Sequence, residues 1–239
     1  MKRISAWLHR LVSALIRGIL QFLVLLAFRP KMLFASEKAR QDAFSVPSVI
    51  ICNHIRGMDA AMLYVLLHRR KFKAITAKDL QDEDPFLRFF MRFMPVITVD
   101  RQYPTLSWLR ESRRTLKNGE HIMLFPEGYC NRKKVIQPFK SGSVMLAASA
   151  GVPIVPMYLD GEYHPFIGRR CRMMVGEPIT VTPPPEGLEA QELTRQDRAL
   201  RHEMRRLELQ LNGSVRVDYV PEDDMPKSIS ETTSGALKG

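Results

Sequence analysis

Short apolar runs alternate with segments of helical composition along most of the chain, and this alternation constrains the fold more than any other feature. Runs of about four to eight apolar residues are typical of buried strands, and parallel neighbours in a sheet need crossovers, usually helical, between them. The sequence therefore predicts an α/β fold with a mixed, largely parallel sheet flanked by helices. We expect strands at 47–52, 72–76, 96–99, 121–125, 154–158 and 172–175, and helices at 60–67, 85–93, 105–117 (with Leu106, Leu109 and Leu116 inward), 141–150 and 193–211.

The first thirty residues differ from the rest. The segment from Leu11 to Phe28 is almost wholly apolar, but Arg17 and Gln21 interrupt it and leave a clean run only over 18–28. As a helix this run spans roughly 16 Å, about half of a hydrocarbon core of ~30 Å, so a simple spanning helix is not expected. The polar residues recur at spacings that place them along one stripe of a helix: Arg10, Ser13, Arg17 and Gln21.

A helix of this kind lies in the membrane interface, with its arginines near headgroups and its apolar side chains in the acyl region. We therefore predict a membrane-associated segment over 1–30, one folded domain over 31–215 and a disordered tail over 216–239. A signal sequence and a helix packed on the soluble core are the alternatives. Arg29-Pro30-Lys31 follows the apolar run where a cleavage site would carry small residues, which disfavours the signal sequence.

The charge of the chain selects for an anionic partner. Its 36 Lys and Arg residues against 25 Asp and Glu residues give a formal net charge of +11, which suits nucleic acid, anionic lipid or an acidic carrier protein. No nucleic-acid-binding motif or aromatic stacking platform accompanies the charge, so nucleic acid is not expected. Cys52, Cys130 and Cys171 are widely separated and the histidines stand singly, so we expect reduced thiols and no metal site.

The most informative segment is Asn53 to Asp59, which directly follows the strand predicted at 47–52. A histidine there lies at the carboxyl edge of the sheet, where open α/β folds place their ligand crevices. A neutral imidazole can take a proton from an alcohol near neutral pH, and a carboxylate can hold its tautomer. Residues five apart on a regular helix lie about 140° apart, so contact between His54 and Asp59 needs an irregular turn, which Gly57 is placed to form. Taken alone, such a pair more often reflects a helix cap and a histidine satisfied by backbone groups.

Three further segments follow in order along the chain. A strand ends at Asp100-Arg101, and the fork of an arginine suits phosphate. A second strand ends in Phe125-Pro126-Glu127-Gly128, and Val152-Pro153-Ile154-Val155-Pro156 opens a third. Together with NHxxxxD at 53–59 and with Phe139-Lys140-Ser141-Gly142, these blocks resemble the motifs of the 1-acylglycerol-3-phosphate acyltransferase family within the glycerolipid acyltransferases. The resemblance covers roughly residues 47–178.

The resemblance implies an enzyme of phospholipid biosynthesis that moves a fatty acyl group from an acyl thioester to the hydroxyl of a lysophosphatidic acid or related lysolipid. It implies that His54 and Asp59 are the catalytic pair and that residues 31–215 form the catalytic domain. The donor would be acyl-CoA or acyl-carrier protein, with no cofactor, no metal and membrane lipids as partners at the cytoplasmic face; the oligomeric state is open. The substrate-binding residues that it implies are Asn53, Arg101, Glu127, Gly128, Arg132 and Lys140.

Two departures from the family's motifs bear on the acceptor. Family members commonly continue the third block with Thr-Arg-Ser, whereas this chain has Tyr129-Cys130-Asn131 before Arg132, and Pro95 stands where the second block usually carries glycine. Another lysophospholipid or an amphipathic alcohol is therefore an alternative acceptor. A noncatalytic lipid-binding protein of the same fold is the other alternative, and the intact histidine and aspartate argue against it.

Overall fold

Seven strands form one sheet in the part of the chain that the structure describes. The computed structural model describes residues 2–78, 94–100, 105–131, 134–181 and 189–216, with the backbone alone for 2–10. The strand order is β1-β7-β6-β2-β5-β3-β4. The elements are α1 (Lys2–Phe28), β1 (Lys31–Phe34), α2 (Glu37–Asp42), β2 (Val49–Cys52), α3 (Asp59–Leu66), β3 (Phe72–Ala77), β4 (Val96–Val99), α4 (Ser107–Lys117), β5 (His121–Leu124), α5 (Gly142–Ala150), β6 (Ile154–Leu159), β7 (Arg172–Val175) and α6 (Ala190–Asn212).

The pairing of the described strands is parallel everywhere except between β6 and β7. Strand β2 lies between β5 and β6, and all four of its residues are buried. Continuous apolar runs of this kind are expected where helices cover both faces of a parallel sheet. The predicted fold class, a mixed and largely parallel sheet flanked by helices, is confirmed.

The two faces of β2 point into two hydrophobic clusters, as the alternation of side chains along a strand requires. Val49 and Ile51 belong to a cluster completed by residues of α4, α5 and α6. Ile50 and Cys52 belong to a second cluster, which contains Met62 and other residues of α3 and against which the end of α1 packs. The chain that leaves β2 therefore emerges at the sheet edge between two covered faces.

Within the described residues, the predicted strands and helices agree with the structure within about three residues at each end. The strand β1 and the helix α2, which are both short, were not predicted. Leu106, expected to face inward, is 64% exposed, because it precedes α4 as its N-cap residue. The helix predicted at 85–93 and the tail beyond Arg216 lie outside the described residues.

Helix α1 is long and apolar enough, by length and composition, to cross a membrane: the window Leu11–Phe28 has a mean hydropathy of 2.2 and is 11% buried. The predicted orientation of its polar stripe is wrong. Ser13 is 5% exposed and Arg17 and Gln21 are half-buried, so the stripe faces the folded domain rather than lipid headgroups. Packing against the domain covers these polar groups, and it leaves apolar residues such as Phe22 outward.

Candidate active site

Asn53 fixes the position at which the chain leaves β2. Its side-chain Nδ2 donates to the carbonyl of Leu159 at 2.9 Å, and its Oδ1 accepts from the N–H of Leu159 at 2.8 Å. Leu159 ends β6, so the buried amide of Asn53 joins two neighbouring strand ends at the carboxyl edge of the sheet. The side-chain amide of Asn53 is therefore hydrogen-bonded within the fold. A contact between Asn53 and substrate stays a prediction.

His54 and Asp59 are in contact. Nδ1 of His54 lies 3.1 Å from Oδ2 of Asp59, which is the first residue of α3 and is fully buried. The same oxygen accepts hydrogen bonds from the N–H groups of Ile55 at 2.6 Å and Arg56 at 2.7 Å. The carboxylate itself therefore shapes the irregular turn that brings the two side chains together.

Gly57 lies in this turn, as expected, but the turn does not depend on a glycine there. Gly57 is not among the glycines with positive φ, and a Cβ atom added to it would meet nothing within 4 Å. A residue with a side chain fits this position equally well, because neither the backbone conformation nor the surrounding space requires a glycine.

The ring of His54 is held from two sides. An ionised carboxylate only accepts hydrogen bonds, so the contact with Asp59 assigns the proton to Nδ1 and leaves a lone pair on Nε2. The ring also stacks on Phe125, with centroids 4.0 Å apart and 14° between the planes. The side chain is 16% exposed, so part of the ring reaches the surface at the sheet edge.

Tyr163 completes the surroundings of Asp59, and sequence reasoning missed it. Its hydroxyl donates to Oδ1 of Asp59 at 2.6 Å, and the side chain is 1% exposed. Burial, followed by the charge of Asp59, raises the pKa of Tyr163 far above its usual range, so the phenol remains a donor. The guanidinium of Arg56 lies 5.3 Å from the centroid of the Tyr163 ring and donates to its carbonyl at 3.2 Å.

Glu127 lies beneath the turn that carries His54. It is 2% exposed; Oε1 accepts from the N–H of His54 and Oε2 from the N–H of Gln137, each at 3.2 Å. Burial outweighs these hydrogen bonds and raises the pKa of Glu127 from 4.5 to about 7. The N–H of Asn131 donates to the carbonyl of His54 at 2.6 Å. Glu127 and Asn131 thus hold both main-chain polar groups of His54, and a substrate contact of Glu127 stays a prediction.

Gly128 and Lys140 lie against each other. Gly128 has a φ of 76°, which favours glycine, and a Cβ atom on it would lie 2.9 Å from Cε of Lys140, a flexible side-chain end that could move aside. The exposed side chain of Lys140 therefore runs beside the turn that holds Glu127. Arg101 and Arg132 lie outside the described residues, and their predicted contacts with an acceptor phosphate stay predictions.

A cavity of about 400 Å³ opens beside the turn, lined by Ile55, Arg56, Gly57 and Lys134. The ammonium of Lys134 pairs with Glu162 at 2.5 Å. Two cationic side chains thus face a space that adjoins the His54 turn. Within the described ranges, the structure shows no group of three or more His, Cys, Asp or Glu side chains suited to a metal ion.

A family model described as Acyltransferase matches residues 35–160, which include His54, Asp59 and Glu127. The chain belongs to the acyltransferase family. Tyr163 lies just beyond the segment that the family model matches.

Curated acyltransferases resemble parts of the chain. It is 31% identical over 117 residues to a chloroplastic 1-acyl-sn-glycerol-3-phosphate acyltransferase of Brassica napus, a match covering 48% of this chain and 33% of the relative. It is 26% identical over 186 residues to 1-acyl-sn-glycerol-3-phosphate acyltransferase alpha of Bos taurus, a match covering 74% of this chain and 63% of the relative. It is 27% identical over 134 residues to the 1-acyl-sn-glycerol-3-phosphate acyltransferase of Bacillus subtilis (strain 168), a match covering 55% of this chain and 66% of the relative. The matches thus span between one third and two thirds of these relatives.

A solved acyltransferase structure shares the fold. The crystal structure of the 1-acyl-sn-glycerophosphate (LPA) acyltransferase PlsC from Thermotoga maritima matches with a TM-score of 0.59. The match covers 87% of this chain and 85% of PlsC at 19% sequence identity. At 19% sequence identity this similarity shows that the two proteins share a fold, and it does not identify the substrates of this chain.

Two residues that depart from the resembled motifs, Asn131 and Pro95, have structural roles. Asn131 holds the carbonyl of His54 through its N–H and donates to the carbonyl of Val135 through its side chain. The carbonyl of Pro95 accepts from the N–H of Ala74 at 2.9 Å, so the pairing of β3 with β4 begins there without a glycine.

Proposed function

We propose that the chain is an acyltransferase that moves a fatty acyl group from an acyl thioester to the hydroxyl of lysophosphatidic acid or a closely related lysolipid in phospholipid biosynthesis. The contact between Nδ1 of His54 and Oδ2 of Asp59 carries the proposal, because it leaves Nε2 as a base at the sheet edge. The relatives from Brassica napus, Bos taurus and Bacillus subtilis are 1-acyl-sn-glycerol-3-phosphate acyltransferases, which supports lysophosphatidic acid as the acceptor.

In the proposed reaction, Nε2 of His54 takes the proton of the acceptor hydroxyl while the oxygen attacks the thioester carbonyl. The C–O bond forms and the C–S bond breaks, and the imidazolium returns its proton to the departing thiolate. The products are an ester and a free thiol. The charge of Asp59 stabilises the imidazolium between the two proton transfers, and no acyl-enzyme forms.

The cavity beside the turn supports an anionic acceptor. Arg56 and Lys134 line it, and the guanidinium fork of an arginine suits phosphate. The departure from the usual family sequence at residues 129–131 favours a second candidate for the acceptor, a lysophospholipid with a different headgroup.

We further propose that the protein works at the cytoplasmic face of a membrane. The apolar side chains on the outward face of α1 support attachment to lipid. Cys52, Cys130 and Cys171 form no disulfide with one another, which suits a reducing compartment. The net charge of +11 suits an anionic leaflet and an anionic donor, either acyl-CoA or acyl-carrier protein.

A thiol-release assay tests the proposal. Purified protein in detergent is given acyl-CoA or acyl-carrier protein with a panel of lysolipids, and free thiol is followed with time. We expect His54→Ala to lower the acceptor-dependent rate by about 10²–10⁴-fold, the usual contribution of a general base. His202→Ala, on the exposed side of α6, is the matched control and should retain the parent rate. Equal rates for His54→Ala and the parent would show that the base is wrongly assigned, and lysolipid binding without thiol release would favour the noncatalytic alternative.

A further inference from the structure

The loop between β6 and β7 presents an apolar tip to solvent. Ile167 is 88% exposed, the highest value among the exposed large hydrophobic residues in the described part of the chain, and Phe166 beside it is 67% exposed. Exposing apolar side chains to water is unfavourable, because the free energy falls when apolar surface is buried. Adjacent exposed apolar residues of this kind can mark a surface that binds a membrane or a protein.

The fold holds this tip in place at some cost. Phe166 has a φ of 61°, in the left-handed region that side chains disfavour. The N–H of Phe166 donates to the carbonyl of Ala27 at 2.6 Å, and a side-chain N–H of Arg29 donates to the carbonyl of Gly168 at 3.0 Å. The loop is therefore fastened to the carboxyl end of α1 with its apolar side chains directed away from the core.

The apolar tip lies beside the end of α1, a helix that carries an exposed apolar face. Five residues of that helix recur at spacings of three or four, and each is more than half exposed: Leu11, Leu15, Ile19, Phe22 and Leu26. The hydrogen bond from the N–H of Phe166 to the carbonyl of Ala27 places the tip one residue beyond Leu26, the last member of this face.

The charges around this surface identify its partner. The sequence has no Asp or Glu among residues 1–36 or between Glu162 and Glu177. Arg29, Lys31, Arg169 and Arg170 are exposed beside the tip and the end of α1. Apolar side chains bordered by cations and free of carboxylates match a bilayer with anionic headgroups, where the rings and alkyl groups enter the acyl region.

We infer that Phe166 and Ile167 insert into an anionic bilayer beside α1 and form a second membrane contact of the protein. The inference rests on the proposed attachment through α1. The same loop carries Tyr163, which donates to Asp59, so the lipid contact and the catalytic carboxylate lie on one short segment. Insertion of the tip would hold the His54 edge at the surface where lipid-soluble acceptors lie.

A fluorescent label on Ile167→Cys tests the insertion directly. The background is Cys130→Ser, because Cys130 is exposed whereas Cys52 and Cys171 are buried. The labelled full chain is mixed with vesicles of phosphatidylcholine and phosphatidylglycerol that contain lipids with a quencher on the acyl chain. We expect quenching of the label at position 167. The same label on Leu209→Cys, which is 49% exposed on α6, should remain unquenched.

The outcomes separate this inference from the proposed attachment. Sedimentation of the protein with vesicles while the label at 167 stays unquenched would overturn the inference and leave attachment through α1 intact. Failure to sediment would overturn both. A spectral shift of the label in detergent without vesicles, together with a dimeric mass, would assign the tip to a second copy of the chain and overturn the inference.

A second variant measures the contribution of the tip to binding. Asparagine tolerates the left-handed region, so Phe166→Asn removes the apolar ring without adding strain. Combined with Ile167→Ser, it should lower the partition into anionic vesicles by roughly tenfold or more, with an unchanged circular dichroism spectrum. An unchanged partition would contradict the inference.

Discussion

The hydroxyl of Tyr163 donates a 2.6 Å hydrogen bond to Oδ1 of Asp59, the carboxylate whose other oxygen holds Nδ1 of His54. Asp59 thereby accepts four hydrogen bonds, two from side chains and two from the main chain of Ile55 and Arg56. Because both of its oxygens accept hydrogen bonds, the carboxylate is held in one orientation. Tyr163 is therefore a positioning residue that acts on His54 through Asp59.

Replacing Tyr163 with phenylalanine removes this hydrogen bond and keeps the ring, which packs edge-on against Phe28 with centroids 5.5 Å apart. A hydrogen bond to a charged group contributes about 1.5–3 kcal/mol, so we expect kcat to fall by roughly ten- to a hundredfold with little change in KM. Without the donor the carboxylate keeps more charge to stabilise the imidazolium, and the acidic limb of the pH–rate profile should move to higher pH. A lower kcat with an unmoved profile would indicate a structural role only.

Asp59→Asn tests the charge of Asp59. The amide oxygen takes the place of Oδ2, which accepts from the N–H groups of Ile55 and Arg56 and contacts Nδ1 of His54, so the amide NH₂ faces the hydroxyl of Tyr163. The contact with Nδ1 is kept, but the negative charge that stabilises the imidazolium is lost. We expect thiol release to fall by roughly ten- to a hundredfold, because a hydrogen bond to a charged group contributes about 1.5–3 kcal/mol. A rate close to that of the parent would show that the charge of Asp59 does not assist His54.

The alternation of the chain predicted the sheet except for β1, and the motif blocks taken together predicted that His54 meets Asp59 at the edge of that sheet. Tyr163 could not be found in this way. It meets Asp59 across 104 positions of the chain, and the contact depends on β6 lying beside β2, which periodicity does not reveal. Once that strand order is known, the tyrosine four residues beyond β6 becomes a candidate.

The orientation of α1 shows a second limit of the sequence pattern. Spacing placed Ser13, Arg17 and Gln21 on one stripe, and the structure confirms a shared face. The pattern contained no information on whether lipid headgroups or the folded domain would cover that stripe. The domain covers it, because α1 packs near α3 and the wider apolar face remains outside.

Gly161 presses against the residue that follows His54. It has a φ of 66°, and a Cβ atom there would lie 2.6 Å from Cδ1 of Ile55. We expect Gly161→Ala to destabilise the protein by about 1–3 kcal/mol and to lower kcat, because Ile55 must shift. Ile55→Val removes Cδ1 and should restore part of the activity. Gly57→Ala is the control within the same turn and should be nearly neutral in melting temperature. Equal effects of the two alanine substitutions would contradict the predicted clash.

Glu127→Gln links the site to pH. The folded-state pKa of Glu127 is about 7, above the ordinary 4.5, because of burial. The folded protein therefore binds this proton more tightly than the unfolded chain does. Protonation of Glu127 contributes its full amount to the free energy of unfolding below about pH 4.5, and this contribution is lost as the pH rises through about 7. The shift corresponds to about 3 kcal/mol.

Glutamine does not titrate, so the free energy of unfolding of the parent should fall relative to Glu127→Gln by up to that amount between about pH 5 and pH 8. Other groups titrate alike in both proteins and cancel in the difference. Urea unfolding in detergent measures it, and a difference that stays constant with pH would mean that the carboxylate is ionised throughout, held by its hydrogen bonds to His54 and Gln137 despite its burial.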